Sequence, residues 1–549
     1  MRFSRPCLLG AVAGVMVAGT AAGVAVRAET WKLELKRLEP PLKTWLSLDA
    51  RPDSIFRMAD AQTVTFHGGE ALILGDGVVP NCAVAFAKIV KKEPPKYESK
   101  HPVRATVTLG SNEYAFALDM KDSKSKSYDR LYFDVNHNGD LTDDKVIEAV
   151  GMSRRIPAGS DGWYTWFPRV DLTIDMGGTH FDYSLVLHAS AQGLSSPDPW
   201  APLVQVWLFP AACRVGEVTL NGKKHRIVLW DHNSNGQFDD RVSIEAKIDW
   251  RDTEITPIYG DILEIDPQTR RETQDFDCAY WQCVSHLAMI DERWYDLKIS
   301  PGGEQISLTP SPVAVGLVTN PAKDFTAIVY SNTRVLQSVH CRSGSFPLPE
   351  GDWRMWAYTI PAERASEIPP KGHGERKTVS GSSLLGTLGR AILGISGPDG
   401  DQSVALSSRS IVQAWRITES KTVTVRKGQT VAIPFGPPYK PIVKTRRGAP
   451  KGYAMLSFSL VGSGGEPVSI VLVDGEPVLP PEFTVTSVNG DVIDEGRFEP
   501  LGRLFPWEHS WRVPSNPADQ YHVRVRVKAG PFKIDDSGYS VIRRSDWEQ

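Results

Sequence analysis

Beyond its first 28 residues, the chain alternates hydrophobic and polar side chains with a period of two, which is the pattern of half-buried β-strands. Val, Thr, Tyr and Phe are frequent in these short runs, and Gly, Asn, Asp and Pro separate them. Residues 521–527 are a clear case, with every second side chain apolar. Two β-hairpins are predicted, one around Gly177-Gly178 between residues 170–174 and 183–187, and one around Asn221-Gly222 between residues 218–220 and 227–229.

Helical periodicity over more than about twelve residues is scarce. The best short candidate is residues 382–395, in which Gly386 and Gly389 weaken the helix. We therefore predict an all-β chain of tandem β-sandwich-like modules with few short helices.

The N-terminus has the order of an export signal: a basic start, an uncharged apolar stretch over residues 7–26 and the small residue Ala28. We predict that residues 1–28 are a signal peptide and that the protein is exported to the periplasm, the cell surface or the extracellular space. The alternative is an uncleaved membrane anchor, since about twenty uncharged residues can span a bilayer. The stretch is rich in Gly and Ala and poor in Leu, which favours cleavage. No further membrane span is predicted.

Length and charge narrow the class of protein. A chain of 549 residues exceeds the usual domain of roughly 100 to 200 residues, so about three or four folded units are expected. The net charge is −3, and it becomes −6 when the segment with Arg2, Arg5 and Arg27 is removed. A nucleic-acid partner is not expected, because the phosphate backbone demands a basic surface.

An internal repeat divides the first half of the chain. Strand-like residues 106–118 and 131–135 precede one Asp/Asn-rich segment, and residues 217–229 precede a second. Each segment then runs into a pair of acids. We predict two related β modules, at residues 29–150 and 151–308, with a Pro-rich linker directly after them.

Two further β modules are predicted. In residues 309–420, the phrase 344–358 joins two aromatic-rich strands by a Pro-Glu-Gly turn, and it resembles the carboxypeptidase-regulatory-like and transthyretin-like sandwiches. Residues 421–549 contain six strand-like runs, which favour an immunoglobulin-like sandwich and a tail. The Cys, Trp and Cys spacing of true immunoglobulin domains is absent.

The candidate chemistry lies in two D-x-N-x-N-G segments, which begin at Asp134 and Asp231. Oxygen side chains at alternate positions before a glycine form the first half of an EF-hand-type loop, and such all-oxygen donors favour calcium. The usual glutamate at the twelfth position is Lys145 in one segment and Val242 in the other, so nearby acids, with Glu148 and Glu245 among the candidates, must supply the missing carboxylate. The predicted metal ligands are Asp134, Asn136, Asn138, Asp140, Thr142, Asp143, Asp144, Asp231, Asn233, Asn235, Gln237, Asp239 and Asp240.

The alternative is that both segments are turns without a metal, since Asp, Asn and Gly are the residues that turns require. Two copies behind similar strands, each followed by paired acids, favour calcium.

Two other features allow a site. Removal of Cys7 with the signal leaves an odd number of cysteines, five. Cys278 and Cys283 have the spacing of a small disulfide loop, and Cys283 with His286 nearby is a less favoured thiol nucleophile.

The second feature is a group of aromatic residues that suits either a sugar-stacking platform or, more often in β-rich chains, a core. These residues are Trp163, Tyr164, Trp166 and Phe167.

Motifs of the common enzyme classes are absent from the sequence: it has no nucleophile elbow, zinc-protease motif, P-loop or dinucleotide fingerprint. No catalytic residue is therefore predicted. The expected function is that of a calcium-binding, non-enzymatic binding or scaffold protein, whose partner is an envelope or extracellular protein or glycan. The alternative is a hydrolase of envelope polysaccharide whose two carboxylates are distant in sequence.

Segments in both halves of the chain resemble a group of uncharacterised exported proteins of planctomycete-type bacteria. These segments are residues 130–144, their echo at 231–240, and residues 295–301, 496–499 and 511–514. The resemblance implies export and calcium-loop chemistry of the dockerin or EF-hand kind, and it implies no catalytic residue.

Overall fold

The structure, a computed structural model, describes residues 29–38, 62–67, 70–72, 82–122, 124–154, 162–194, 203–248, 253–258, 260–267, 281–341, 344–362, 410–415, 417–418, 420–446, 452–474, 476–499 and 506–546. No helix within these ranges is long and apolar enough to cross a membrane. Three predictions fall outside them: the signal peptide, the helix at 382–395 and the position of Cys278.

The first half of the chain carries one α-helix, α1, and 22 strands among its described residues. They are β1 (Glu29–Lys32), β2 (Glu34–Arg37), β3 (Gln62–His67), β4 (Glu70–Leu72), α1 (Cys82–Ile89), β5 (Val103–Leu109), β6 (Asn112–Asp119), β7 (Arg130–Phe133), β8 (Ile147–Glu148), β9 (Gly151–Arg154), β10 (Trp163–Trp166), β11 (Val170–Met176), β12 (Thr179–Gln192), β13 (Leu203–Pro210), β14 (Ala212–Leu220), β15 (Lys223–Trp230), β16 (Ser243–Ile248), β17 (Thr253–Ile258), β18 (Ile262–Ile265), β19 (Trp281–Cys283), β20 (Leu287–Ile290), β21 (Arg293–Ile299) and β22 (Gln305–Pro310).

The second half continues with strands and ends in a 3-10 helix at Arg544–Asp546. The strands are β23 (Val315–Thr319), β24 (Phe325–Ser331), β25 (Leu336–Cys341), β26 (Ser345–Pro349), β27 (Gly351–Pro361), β28 (Ile411–Trp415), β29 (Val423–Val425), β30 (Thr430–Ala432), β31 (Lys440–Arg446), β32 (Tyr453–Val461), β33 (Ile470–Val473), β34 (Glu476–Pro477), β35 (Glu482–Thr486), β36 (Val492–Arg497), β37 (Trp507–Arg512), β38 (Gln520–Arg526) and β39 (Ser540–Arg543).

These strands form nine sheets in the described part of the chain. The strand pairs are antiparallel except that β23 runs parallel to β30. The prediction of a nearly all-β chain is confirmed, and so are both hairpins, β11–β12 and β14–β15. In the second, Asn221 and Gly222 have φ angles of 51° and 79°, as a two-residue type I′ turn requires.

Several sheets join segments that are far apart in the sequence. β1 pairs with β22, β2 with β14 and β3 with β13, so strands from residues 29–67 complete sheets built from residues 151–310. In the second half, β28 pairs with β33 across the predicted limit at residue 420. The module limits and the sandwich types therefore stay predictions.

Hydrophobic burial is concentrated in two large cores, one within residues 33–308 and one within residues 287–542. A smaller cluster joins the two halves, with Trp230 and Cys283 from the first and Tyr330 and Trp356 from the second. Trp230 is the last residue of β15, so the segment that follows it starts from a rigid, buried position.

Cys283 is a buried free thiol, so the predicted disulfide with Cys278 is not formed. Burial raises the pKa of the Cys283 thiol above its usual range. The protonated thiol is a weak nucleophile, which also speaks against the nucleophile hypothesis.

Candidate metal-binding loops

Two loops contain the predicted ligands. Loop 1, residues 134–144, follows β7, and loop 2, residues 231–240, follows β15. Positions are counted here from the first aspartate, so that position 1 is Asp134 or Asp231, 3 is Asn136 or Asn233, 5 is Asn138 or Asn235, 6 is Gly139 or Gly236, 7 is Asp140 or Gln237, and 10 is Asp143 or Asp240. Asp and Asn side chains bend the chain locally, because they accept hydrogen bonds from backbone amides a few residues later.

The position-1 aspartate closes both loops in the same way. Its Oδ1 accepts the position-5 amide at 3.0 Å in loop 1 and 3.3 Å in loop 2. Its Oδ2 accepts the position-6 amide at 2.9 Å and 2.7 Å. One carboxylate therefore fixes the turn onto its glycine in each loop.

The two asparagines repeat the same bonds. The position-3 Oδ1 accepts the position-5 amide at 3.1 Å in loop 1 and 3.2 Å in loop 2, and the position-5 Oδ1 accepts the position-7 amide at 2.6 Å and 2.8 Å. Both asparagines donate from Nδ2 to the position-10 aspartate, at 3.4 Å and 2.7 Å in loop 1 and at 3.0 Å and 2.6 Å in loop 2. The side chains at positions 1, 3, 5 and 10 are thus brought together twice.

The backbones also agree. Position 4 has a positive φ in both loops, 56° at His137 and 62° at Ser234, and the position-6 glycines have 81° and 83°. A Cβ on Gly139 would collide with the carbonyl oxygen of Ile89. The glycine is required there both by its φ and by the close approach of the α1 segment.

Not every predicted ligand joins these clusters. Thr142 donates its hydroxyl to Asp140 at 2.6 Å, apart from the position-10 carboxylate. The side chains of Gln237 and Asp239 make no hydrogen bond to the loop 2 cluster. Of the acids considered beyond the loops, Glu148 forms an ion pair with Lys121 at 3.3 Å, and the side chain of Glu245 lies outside the described part.

Loop 1 is exposed and is contacted by two lysines from the segment after α1. Lys92 Nζ lies 2.9 Å from Asp140 Oδ2, and Lys91 Nζ donates to the Asn138 carbonyl at 2.8 Å. The bonds from Thr142 and Lys92 lower the pKa of Asp140 to about 2. A tethered ammonium group therefore already faces this loop.

Loop 2 is more deeply buried, and it is braced by two residues from other strands. Asp261 is fully buried and accepts the amides of His232 and Asp240, each at 2.9 Å. Tyr183 on β12 donates its hydroxyl to Asp231 Oδ2 at 2.5 Å. In loop 1 the corresponding position-2 amide is instead accepted by Asp144, at 3.1 Å, from within the loop itself.

Burial makes the carboxylates of loop 2 hard to ionise. Desolvation, with repulsion from Asp240 added, raises the pKa of Asp231 to about 7. Desolvation and repulsion from Asp231 and Asp240 raise the pKa of Asp261 well above its ordinary value. A bound cation would relieve this repulsion, because it adds positive charge where negative charges are crowded.

The donors fit a hard cation only in part. Carboxylate and amide oxygens converge, and each Asn Oδ1 keeps a second lone pair. The amide Nδ2 groups at positions 3 and 5 nevertheless already satisfy the position-10 carboxylate, so a cation must compete with bonds that are present. Among the described residues, no group of three or more His, Cys, Asp or Glu side chains has the arrangement of a metal site. Calcium here would depend on amide and backbone oxygens as well as on carboxylates.

The aromatic cluster forms a ladder across β10, β12 and β13. Trp166 stacks on His188 with ring centroids 4.9 Å apart, and His188 stacks on Trp207 at 5.1 Å. Phe167 is buried in the first core. Stacking between these rings occupies faces that a sugar-stacking platform would need.

Sequence reasoning missed Asp261, Tyr183, Lys91 and Lys92, since none is in a recognisable motif. The D-x-N-x-N-G motif made the hydrogen bonds within each loop predictable. The contacts with these four residues, which distinguish the two loops, have no comparable motif in the sequence. No known family model matches the chain, and no curated protein sequence matches it.

Proposed function

We propose that this chain is an exported, calcium-binding protein without catalytic activity, which acts by binding or scaffolding in the cell envelope or outside the cell. The observation that carries the proposal is the repeated hydrogen-bond network, in which positions 1, 3, 5 and 10 meet in both loops. A plain turn needs the bonds to the backbone amides but has no need of the converging position-10 carboxylate.

Calcium is the proposed ion because it accepts many oxygen ligands in an irregular arrangement. Positions 1 and 10 would supply carboxylates, and positions 3 and 5 would supply amide oxygens. The ion would first have to break the bonds from the amino groups at positions 3 and 5 to the position-10 carboxylate. Without a glutamate at position 12, we expect a dissociation constant on the order of 0.1 to 1 mM. At about 1 mM calcium, each occupied site would then stabilise the fold by roughly 0.4 to 1.4 kcal/mol.

The test compares thermal unfolding in millimolar calcium and in excess chelator. We expect the parent to melt at a higher temperature in calcium, and the Asp134→Asn, Asp231→Asn double variant to lose most of that increment. Asparagine keeps one acceptor oxygen for the loop amides, so the variant should still fold.

A matched control replaces two aspartates of ordinary turns. Asp491 accepts the Ser487 hydroxyl and Asp535 accepts the Ser537 hydroxyl, both far from either loop in sequence. The Asp491→Asn, Asp535→Asn variant removes the same charge and should keep the calcium increment. Identical melting of the parent in calcium and in chelator, with no heat on calorimetric titration, would mean that both loops are turns.

Export, the four modules and their immunoglobulin-like and transthyretin-like identities belong to the same proposal. The exported location is supported by the N-terminal pattern, and the modules are supported by the nearly all-β fold. Mass spectrometry of the protein recovered from the producing cell tests the first point. A mature N-terminus near residue 29 is expected, and a full-length chain retained in the membrane would support the anchor instead.

A further inference from the structure

The outer face of the C-terminal sheet carries a row of exposed cations. This sheet has the strand order β36-β35-β38-β39. In the β38 region, Tyr521, Val523, Val525 and Val527 are buried in the core, and the alternate side chains point away from it. We call the surface formed by the half-buried His522 and the exposed Arg524, Arg526, Lys528 and Arg543 the basic face.

The spacing of these cations follows from strand geometry. Alternate residues on one face of a strand are about 6.8 Å apart, so Arg524 and Arg526 lie in a row along β38, and the exposed Lys528 follows two residues after the strand ends. Arg543 on the neighbouring strand β39 is paired in register with Gln520. The basic face is therefore extended along the strand, which suits a linear ligand.

Charge on this face is only partly compensated, because the cations outnumber the acids Glu482 and Glu495 that share it. Arg524, Arg526, Lys528 and Arg543 form no ion pair with any residue of the chain that the structure describes. By contrast, on the exposed hairpin β14–β15, Lys223 pairs with Asp291 at 2.8 Å and Lys224 with Glu217 at 3.1 Å. The row therefore presents an extended local excess of positive charge, which is complementary to a linear anion.

Few acids share the face. Glu482 lies in register with Arg526 and accepts from Arg497 at 2.8 Å. The bond from Arg497, with attraction from Lys528 and Arg526 added, lowers the pKa of the Glu482 carboxyl, so this acid offsets part of the positive charge on the face. Glu495 lies in register with Thr484 beside Arg524. Asp546 uses its carboxylate to accept the backbone amide of Arg543 at 2.8 Å.

Uncharged groups on the face suit a sugar. The half-buried Thr484 and Thr486 side chains stand in register with Arg524 and His522. The Thr486 hydroxyl donates to the His522 carbonyl at 3.5 Å, which leaves its oxygen able to accept a bond from a sugar hydroxyl. The His522 and Tyr539 rings stack on each other at 4.1 Å, so each ring has one face covered. A nucleic-acid strand is bound through open aromatic faces on which bases stack, and this pair does not offer both.

We propose that the basic face binds an acidic polysaccharide, with the Arg and Lys row on its carboxylates or sulfates and the threonines on its hydroxyls. This inference rests on the proposed binding role and names its partner class, but it does not depend on calcium in either loop. The net charge of the whole chain is −3, so the positive charge is confined to a local patch. A nucleic-acid partner is disfavoured, because its phosphate backbone demands a more extensive basic surface.

Affinity electrophoresis and calorimetric titration measure the affinity of the protein for polygalacturonate. Neutral dextran and single-stranded DNA are the comparison ligands. The parent should bind polygalacturonate, should not bind dextran, and should bind DNA more weakly. Binding should weaken as salt is raised from about 0.05 to 0.3 M, because exposed charges are screened. In the Arg524→Gln, Arg526→Gln, Lys528→Gln variant, affinity should fall by about tenfold or more.

The control variant Lys421→Gln, Arg426→Gln, Lys427→Gln removes the same charge from exposed positions around β29 and should bind like the parent. Equal loss in both variants, equal binding of DNA, or no binding of polygalacturonate by a parent that melts normally would each overturn the proposal. Titrations in excess chelator separate it from the calcium proposal. Binding should persist there, and binding that requires calcium would contradict a site on this face.

Discussion

Loops 1 and 2 share one internal design and have opposite surroundings. Their hydrogen bonds agree within about 0.4 Å at every shared pair of positions. Outside that network, loop 1 faces solvent and two lysines, whereas loop 2 faces a buried carboxylate and a buried tyrosine hydroxyl. A short motif therefore fixes the shape of a loop, and the fold around it fixes the charge that the loop can tolerate.

The difference predicts unlike responses to pH, to mutation and to calcium. In loop 2, burial and mutual repulsion make ionisation of Asp231 and Asp261 costly, and a metal would relieve that repulsion. In loop 1 a lysine already supplies positive charge, so a metal has less to add.

The largest expected effect is on the pH dependence of stability. The folded-state pKa of Asp231 is about 7, above its ordinary value of 3.8. Its contribution is therefore fully present below about pH 3.8 and is lost as pH rises through about 7. Relative to the Asp231→Asn variant, the free energy of unfolding of the parent should fall by up to about 4 kcal/mol from pH 4 to pH 8. Urea unfolding across this range measures it, without calcium.

Loop 1 should show the opposite sign. The pKa of Asp140 is lowered to about 2, so its contribution is present above about pH 3.8 and is lost as pH falls through about 2. The Asp140→Asn variant should therefore differ from the parent in acid and match its slope between pH 5 and 8. Parallel profiles for the parent and Asp231→Asn would refute the electrostatic contrast.

A second prediction concerns the brace of each loop. Asp261→Ala leaves the buried His232 amide and the partly buried Asp240 amide without an acceptor and should cost about 3 kcal/mol, after allowance for the repulsion that it removes. Asp144→Ala frees one partly exposed amide and should cost less than about 1 kcal/mol. Urea unfolding at pH 7 measures both losses. Equal losses would show that Asp261 and Asp144 contribute equally to the free energy of unfolding, which would contradict the contrast between the loops.

How much of this could be read from the sequence depends on the range of the interaction. Asn221-Gly222 and the D-x-N-x-N-G segments act on their own backbone, so their turns were predictable. Asp261 contacts loop 2 only because β18 pairs with β15. Tyr183 contacts the loop only because β12 lies next to Asp231 in the fold. No local pattern encodes such pairings, and the same holds for β1 with β22.

A third prediction tests the tyrosine contact. Tyr183→Phe removes a buried donor from Asp231 and should cost about 2 kcal/mol at pH 8, where the carboxylate is ionised, and less at pH 5. The matched change is Tyr114→Phe near loop 1, where the hydroxyl donates to the Thr173 carbonyl at 3.1 Å. That bond is to a neutral acceptor and should cost about 1 kcal/mol at either pH. A Tyr183→Phe loss that is independent of pH would contradict the pairing with an ionised Asp231.

The smallest and most discriminating effect concerns Lys92. Its ion pair with Asp140 is largely exposed, so Lys92→Gln should lower stability only slightly in chelator. If calcium binds loop 1, removing this ammonium group removes a competing cation, and the rise in melting temperature on adding calcium should become larger than in the parent. The Asp231→Asn background confines the measurement to loop 1, and Lys96→Gln, which breaks the comparable pair with Glu98, is the control. A calcium increment that is unchanged by Lys92→Gln would show that the lysine does not compete for the loop, and the contrast between the two loops would then lie in loop 2 alone.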